Sequence, residues 1–173
     1  MLNILIACDH KISREALSRV LSVQPLFRVM GICADTHAAI AISAHEQPDI
    51  VFIDGSSDPL AAIEATKKIL SCSNANVIAL SRQMDAGFAN HMIAAGALGY
   101  LTNNSPAAEI ITAVNEVAKD NLYHCLEHSP LPIPTPERFS SFKKSIASVR
   151  DNTQKKITEA VESHWHSILK FTN

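Results

Sequence analysis

The sequence predicts an α/β fold: a doubly wound sheet of five parallel strands, followed by a long C-terminal helical extension. Three observations predict it. Short apolar runs recur along residues 1–125, stretches with a helical period separate them, and beyond a Pro-rich segment the pattern changes to one long amphipathic stripe.

The apolar runs fall at residues 4–7, 28–32, 50–53, 77–80 and 97–101. They are rich in Ile, Val and Leu with little alternation, as expected of strands buried on both faces. Between them Ala16, Val20 and Val23 recur at helical spacing, as do Ala38, Ile42 and His45. Ile63, Thr66 and Leu70 follow, then Phe88, Met92 and Ala95, then Ile110, Val114 and Val117. Ser13, Thr36 and the pair Ser105-Pro106 stand where N-caps are expected. Strand and helix thus alternate five times, which calls for helices on both faces and right-handed crossovers. In such sheets a ligand sits at the carboxyl ends of the strands, beside the topological switch point.

Three segments are expected: a domain over 1–125, a linker over 126–136 and a helix over 137–173. Pro130, Pro132, Pro134 and Pro136 alternate with other residues, which favours an extended, semi-rigid linker. In the last segment Phe142, Ile146, Val149, Thr153, Ile157, Ala160, His164, Ile168 and Phe171 step by three or four. That is an amphipathic stripe a lone helix cannot bury, so it needs a neighbour or a second copy.

Apolar residues make up 47% of the 173 and charged residues 18%, a globular balance. No apolar run approaches the ~20 residues that span a membrane. The four cysteines form no CxxC pair, consistent with reduced thiols in the cytoplasm. The net charge of −2 is unevenly spread: eight basic and thirteen acidic residues lie in 1–136, against seven and four in 137–173. The basic end allows a nucleic-acid reading, but a solvated helix face is the plainer one. Walker, GxGxxG, HExxH and nucleophile-elbow motifs are absent from the sequence, which argues against a metabolic enzyme.

Asp54 ends the third apolar run and Asp9 follows the first, so both carboxylates are expected in the crevice. Converging carboxylates suit a hard cation such as Mg²⁺, and a metal-held aspartate can act as nucleophile toward a phosphoryl donor. Ser81 ends the fourth run, where its hydroxyl could bond a phosphoryl oxygen.

These residues lie in phrases that resemble the receiver domain of two-component response regulators, with its CheY-like fold, and most closely the NarL-type branch. The phrases are Asp9-His10, Pro48-Asp49-Ile50-Val51-Phe52-Ile53-Asp54, Glu64-Ala65-Thr66-Lys67-Lys68-Ile69 and Ala94-Ala95-Gly96-Ala97-Leu98-Gly99-Tyr100-Leu101. The resemblance implies that Asp54 is the phosphoacceptor and that Asp9, Asp54 and the Ser56 carbonyl hold Mg²⁺. It further implies that Ser81 is the switch hydroxyl and Tyr100 the aromatic that turns inward when that hydroxyl engages phosphate.

Three departures from the family's pattern point to a degenerate site. Cys8 stands where a second acidic residue is usual, and a thiol suits Mg²⁺ poorly. Asn103 stands where a lysine would offset phosphoryl charge. In the loop after Asp54, Pro59 comes one place late and Asp58 takes the usual Pro position. The segment 137–173 is too short for the helix-turn-helix module that usually follows. The expected function is therefore a two-component receiver that signals by protein contact or homodimerisation, with a sensor kinase or downstream effector as partner. Mg²⁺ is expected to bind weakly or not at all, with neither a membrane nor DNA as partner. The alternatives are a working single-domain receiver phosphorylated on Asp54, or a nucleic-acid binder using the basic tail.

Overall fold

The computed structural model describes residues 1–124. The expected linker, the amphipathic helix over 137–173 and Cys125 lie outside the described residues.

The chain runs β1 (Leu2–Ala7), α1 (Lys11–Ser22), β2 (Phe27–Cys33), α2 (Thr36–Glu46), β3 (Ile50–Asp54), α3 (Pro59–Cys72), β4 (Asn76–Ser81), α4 (Ala86–Ala94), β5 (Gly99–Thr102), α5 (Ala107–Val117) and β6 (Tyr123–His124). All strand pairs are parallel, in the order β2-β1-β3-β4-β5-β6. Five strands are expected and six form among the described residues. The sixth is two residues long and adds to the β5 edge, too short to leave an apolar run in the sequence.

The central strands explain the layering. Ile50, Val51, Phe52 and Ile53 of β3 are fully buried, as are Val77, Ile78 and Ala79 of β4. Consecutive strand residues point to opposite faces, so burial of every one means that both faces are covered. Helices α2, α3 and α4 lie side by side, while α1 packs on β1 and β2, and α5 on β4, β5 and β6. The expectation of two-sided burial fails for β2. Among the described residues it is an edge strand paired with β1, and its Ile32 is 51% exposed.

Helix faces were read correctly where large side chains mark them. Phe88, Met92 and Ala95 are buried, as are Ile110, Val114 and Val117, and Thr66 and Leu70 of α3. In α1 and α2 the buried stripe lies one residue later than expected. Leu17 and Leu21 are buried, with Ala16 and Val23 exposed, and Ala39 and Ser43 are buried, with His45 exposed. Both helices flank the edge of the sheet, where apolar residues occur on the solvent side as well, so spacing alone does not pick the face.

The caps also differ from expectation by one to three positions. His10 caps α1, Asp35 caps α2, and Pro106 is the N-cap of α5, which has no side-chain cap bond. Ser13 instead bonds the His10 ring, and the Ser105 hydroxyl accepts from Thr102 N. Asp58 has a structural role of its own. Its carboxylate accepts from Ala61 N at 2.9 Å and caps α3, with Pro59 at N1, where no amide donor is needed.

Core position and edge position should differ sharply in stability. Phe52→Ala should cost about 3–5 kcal/mol, while Ile32→Ala on the exposed edge should stay within about 0.5 kcal/mol; urea unfolding of both variants checks this.

Candidate functional site

Strand order places the site. The chain passes from β1 outward to β2, then returns to β3 on the other side of β1, so the direction of winding reverses between β1 and β3. Helices leave the sheet on opposite sides there, and a crevice opens at the carboxyl ends. The register sets its lining. Ala7 pairs with Ile53, Asp54 with Leu80 and Ser81 with Thr102. Cys8, Asp54, Ser81 and Asn103 therefore stand along one edge, and Asn103 N donates to Ser81 O at 2.8 Å.

Asp54 is the half-buried hub. Ser56 donates to its Oδ1 twice, from the backbone amide at 2.9 Å and from the hydroxyl. The Cys8 thiol donates to Oδ2 at 3.0 Å. The Asn103 amide reaches Oδ2 at 3.5 Å and Ser56 Oγ at 3.4 Å, at the outer limit of a hydrogen bond. Every one of these donors is neutral. Among the described residues the buried Asn103 carbonyl oxygen has no partner.

Cys8 is 2% exposed and its thiol is pushed up to about 12. Burial is the largest cause, followed by the hydrogen bond to Asp54 and that residue's negative charge, while a backbone contact with His10 opposes them. The thiol is accordingly protonated near neutrality and acts as a donor. Asp9 is exposed, with a carboxylate oxygen that lies within 4.8 Å of both Cys8 Sγ and an Asp54 oxygen. The Arg14 guanidinium reaches the carbonyls of Cys8 and Asp9 and ties off the end of β1.

A second cluster lies further along the same edge. Tyr100 is fully buried, and its hydroxyl is 2.7 Å from Ser81 Oγ. Ser81 also donates to Gln83 O at 2.6 Å. Asp85 N donates to the Tyr100 hydroxyl at 3.1 Å, and Asp85 caps α4 by accepting from Phe88 N at 3.0 Å. The Ser81 hydroxyl is thus engaged with the β4–α4 loop and Tyr100.

The structure brings Cys8, Asp9, Asp54, Ser56 and Asn103 together, and Ser81 with Tyr100 beside them. Sequence reasoning missed Gly55, Phe88 and Arg14. Phe88 was read only as part of a helix stripe, and neither Gly55 nor Arg14 carries a motif.

Whether a cation fits is decided by donor chemistry. Mg²⁺ takes oxygen ligands in near-octahedral geometry. Here one of the three converging groups is a protonated sulfur that already donates to Asp54. This set fits Mg²⁺ poorly.

Comparison with known proteins agrees with the fold. The family model for the response regulator receiver domain matches residues 4–115. The transcriptional regulatory protein LiaR of Bacillus subtilis (strain 168) is 32% identical over 120 residues, which cover 69% of this chain and 57% of that protein. The transcriptional regulatory protein DegU of Brevibacillus brevis is 29% identical over 123 residues, 70% of this chain and 52% of that one. The chain spans about half the length of these curated relatives. Among solved structures, a LuxR-family two-component response regulator from Aurantimonas sp. SI85-9A1 superposes with a TM-score of 0.66 at 25% identity, covering 89% of this chain and 98% of that one. The receiver domain of NarL from Mycobacterium tuberculosis gives 0.64 at 24%, covering 68% and 96%, a likeness of fold.

The raised Cys8 thiol has a measurable pH dependence. Its folded value lies above the ordinary thiol value of 9.0, so the native state holds the proton more tightly than the unfolded chain does. The stabilisation is complete below about pH 9 and is lost as pH rises toward about 12. Iodoacetamide should leave Cys8 unmodified at pH 8 in the folded protein, as read by peptide mass spectrometry, and Cys8→Ala should flatten the fall in stability above pH 9.

Proposed function

Since the chain belongs to the response regulator receiver family, we propose that it is a two-component receiver that signals through protein contact, with phosphorylation of Asp54 weakened or lost. The observation that carries the proposal is the Cys8 thiol. It occupies the position of an acidic metal ligand and donates its proton to Asp54 Oδ2.

Adding a phosphoryl group to Asp54 concentrates negative charge at a crevice whose donors to Asp54 are neutral. Receivers offset that charge with a divalent cation and a lysine. In this chain a thiol and the Asn103 amide hold those two places, and neither carries positive charge or binds Mg²⁺ well. One preorganised group of this kind is worth about 3–4 kcal/mol of transition-state stabilisation. Loss of both makes transfer slow on a signalling timescale. Asp54, Ser56 and Ser81 keep their places, which supports residual transfer as the second reading.

The domain read over 1–125 is then a recognition body, and the linker 126–136 carries the stripe of 137–173 to a second copy of the chain. A sensor kinase or downstream effector in the cytoplasm is the proposed further partner. The curated relatives are named as transcriptional regulators; for this chain the proposed output is contact with protein and not with DNA.

Restoring the two charged groups tests the reading. The Cys8→Asp/Asn103→Lys double variant, incubated with Mg²⁺ and radiolabelled acetyl phosphate, should label at least about 10²-fold faster than the natural chain. Cys8→Asp alone should lower stability without Mg²⁺, because two carboxylates then face each other, and regain it when Mg²⁺ is added. Equal labelling of the natural chain and the double variant would overturn the proposal.

A further inference from the structure

Phe88 joins the two clusters of the crevice. Its ring lies on the backbone of Gly55, the residue directly after Asp54. A Cβ placed on Gly55 would fall 2.1 Å from Phe88 Cζ and under 3.0 Å from both ring ε carbons. The same ring meets Tyr100 edge-on, with centroids 6.2 Å apart and planes at 65°. Only a residue without a side chain at position 55 leaves this seat open.

The rest of the assembly is closed by hydrogen bonds. Phe88 N–H is held by the Asp85 carboxylate, and the Asp85 amide donates to the Tyr100 hydroxyl. Tyr100 in turn meets Ser81, whose hydroxyl also reaches Gln83 O. Gly55 N donates to Leu80 O at 2.9 Å, which fixes the floor of the seat against β4. The Asp54 carboxylate makes none of these bonds.

We infer that Phe88 is a positioning residue: seated on Gly55, it holds α4 and Tyr100 in one arrangement whatever the state of Asp54, so the α4–β5 face is presented to partners constitutively. The inference deepens the proposed function and rests on it for its biological sense. Its physical basis is separate. A modification shifts a conformational equilibrium only by its differential interaction with the two states. The arrangement of α4 and Tyr100 is built from contacts in which the Asp54 carboxylate takes no part, and the Ser81 hydroxyl that could sense a phosphoryl group is already engaged.

Amide hydrogen exchange of the full chain, read by NMR, tests it, with and without beryllofluoride and Mg²⁺. In the natural chain, exchange over α4 should be the same in both conditions. Phe88→Ala should speed exchange over α4 at least tenfold more than over α5, and Phe88→Leu should restore part of the protection. Gly55→Ala, which forces the ring from its seat while keeping every other side chain, should loosen α4 in the same local way. The ring-current shift of the Tyr100 resonances should disappear in Phe88→Ala and Phe88→Leu alike.

If α4 and α5 lose protection equally in both Phe88→Ala and Gly55→Ala, the ring is an ordinary core group and the inference is overturned. A change over α4 on adding beryllofluoride to the natural chain overturns it too. If a fluorine resonance shows beryllofluoride bound while α4 stays unchanged, the wedge stands and the weakened pocket of the previous subsection falls.

Discussion

Asp54 sits where the winding of the sheet reverses, and it meets there a thiol, a hydroxyl and a backbone amide. Each donates to it, and none carries charge. A half-buried carboxylate gains stability from such donors, because they replace the water it has lost. They leave it an anion in a neutral setting. A further negative charge there meets no compensating cation among its donors, and a metal ion meets a protonated sulfur. The chemistry open to this crevice follows from that one set of contacts.

The same edge of the sheet carries a second arrangement. Tyr100 is large, fully buried and polar at its tip, so its hydroxyl needs partners in the interior. It finds Ser81 and the backbone of Asp85, and the cap of α4 is built on the latter. Helix α4 is therefore tied to β4 and β5 through one phenol, and to the Asp54 loop through the Phe88 ring. Close packing of this kind is not continuously deformable. A face held by it suits recognition by shape.

Much of the fold was legible because long-range burial leaves a local trace. Strands β1, β3 and β4 read as uninterrupted apolar runs since both their faces are covered. Helices α4 and α5 read correctly because large side chains mark their buried stripes. The misreadings share a cause. At the edge of the sheet β2 keeps one open side, and the neighbouring helices α1 and α2 expose apolar residues such as Ile12 and Val23. Spacing there admits two faces, and only packing chooses. The two-residue β6 left no trace because so short a strand owes its existence to the β5 edge beside it. Within the site, Cys8, Asp9, Asp54, Ser81 and Asn103 were legible as the residues that end the strands. Gly55 and Phe88 were not, since a glycine signals only the absence of a side chain, and what fills the space comes from 33 positions away.

By itself the sequence determined the alternation of strand and helix and the residues at each strand end. It also determined the family and the placing of Cys8 and Asn103 just after their strands, all of which are local patterns of polarity and spacing. Tertiary structure alone decided which proton goes to which acceptor. It made the Cys8 thiol a donor to Asp54, engaged the Ser81 hydroxyl with Tyr100, and seated the Phe88 ring on Gly55. Those contacts join residues up to 46 positions apart. Their geometry depends on parallel register and side-chain packing, which no stretch of chain encodes without its neighbours in space.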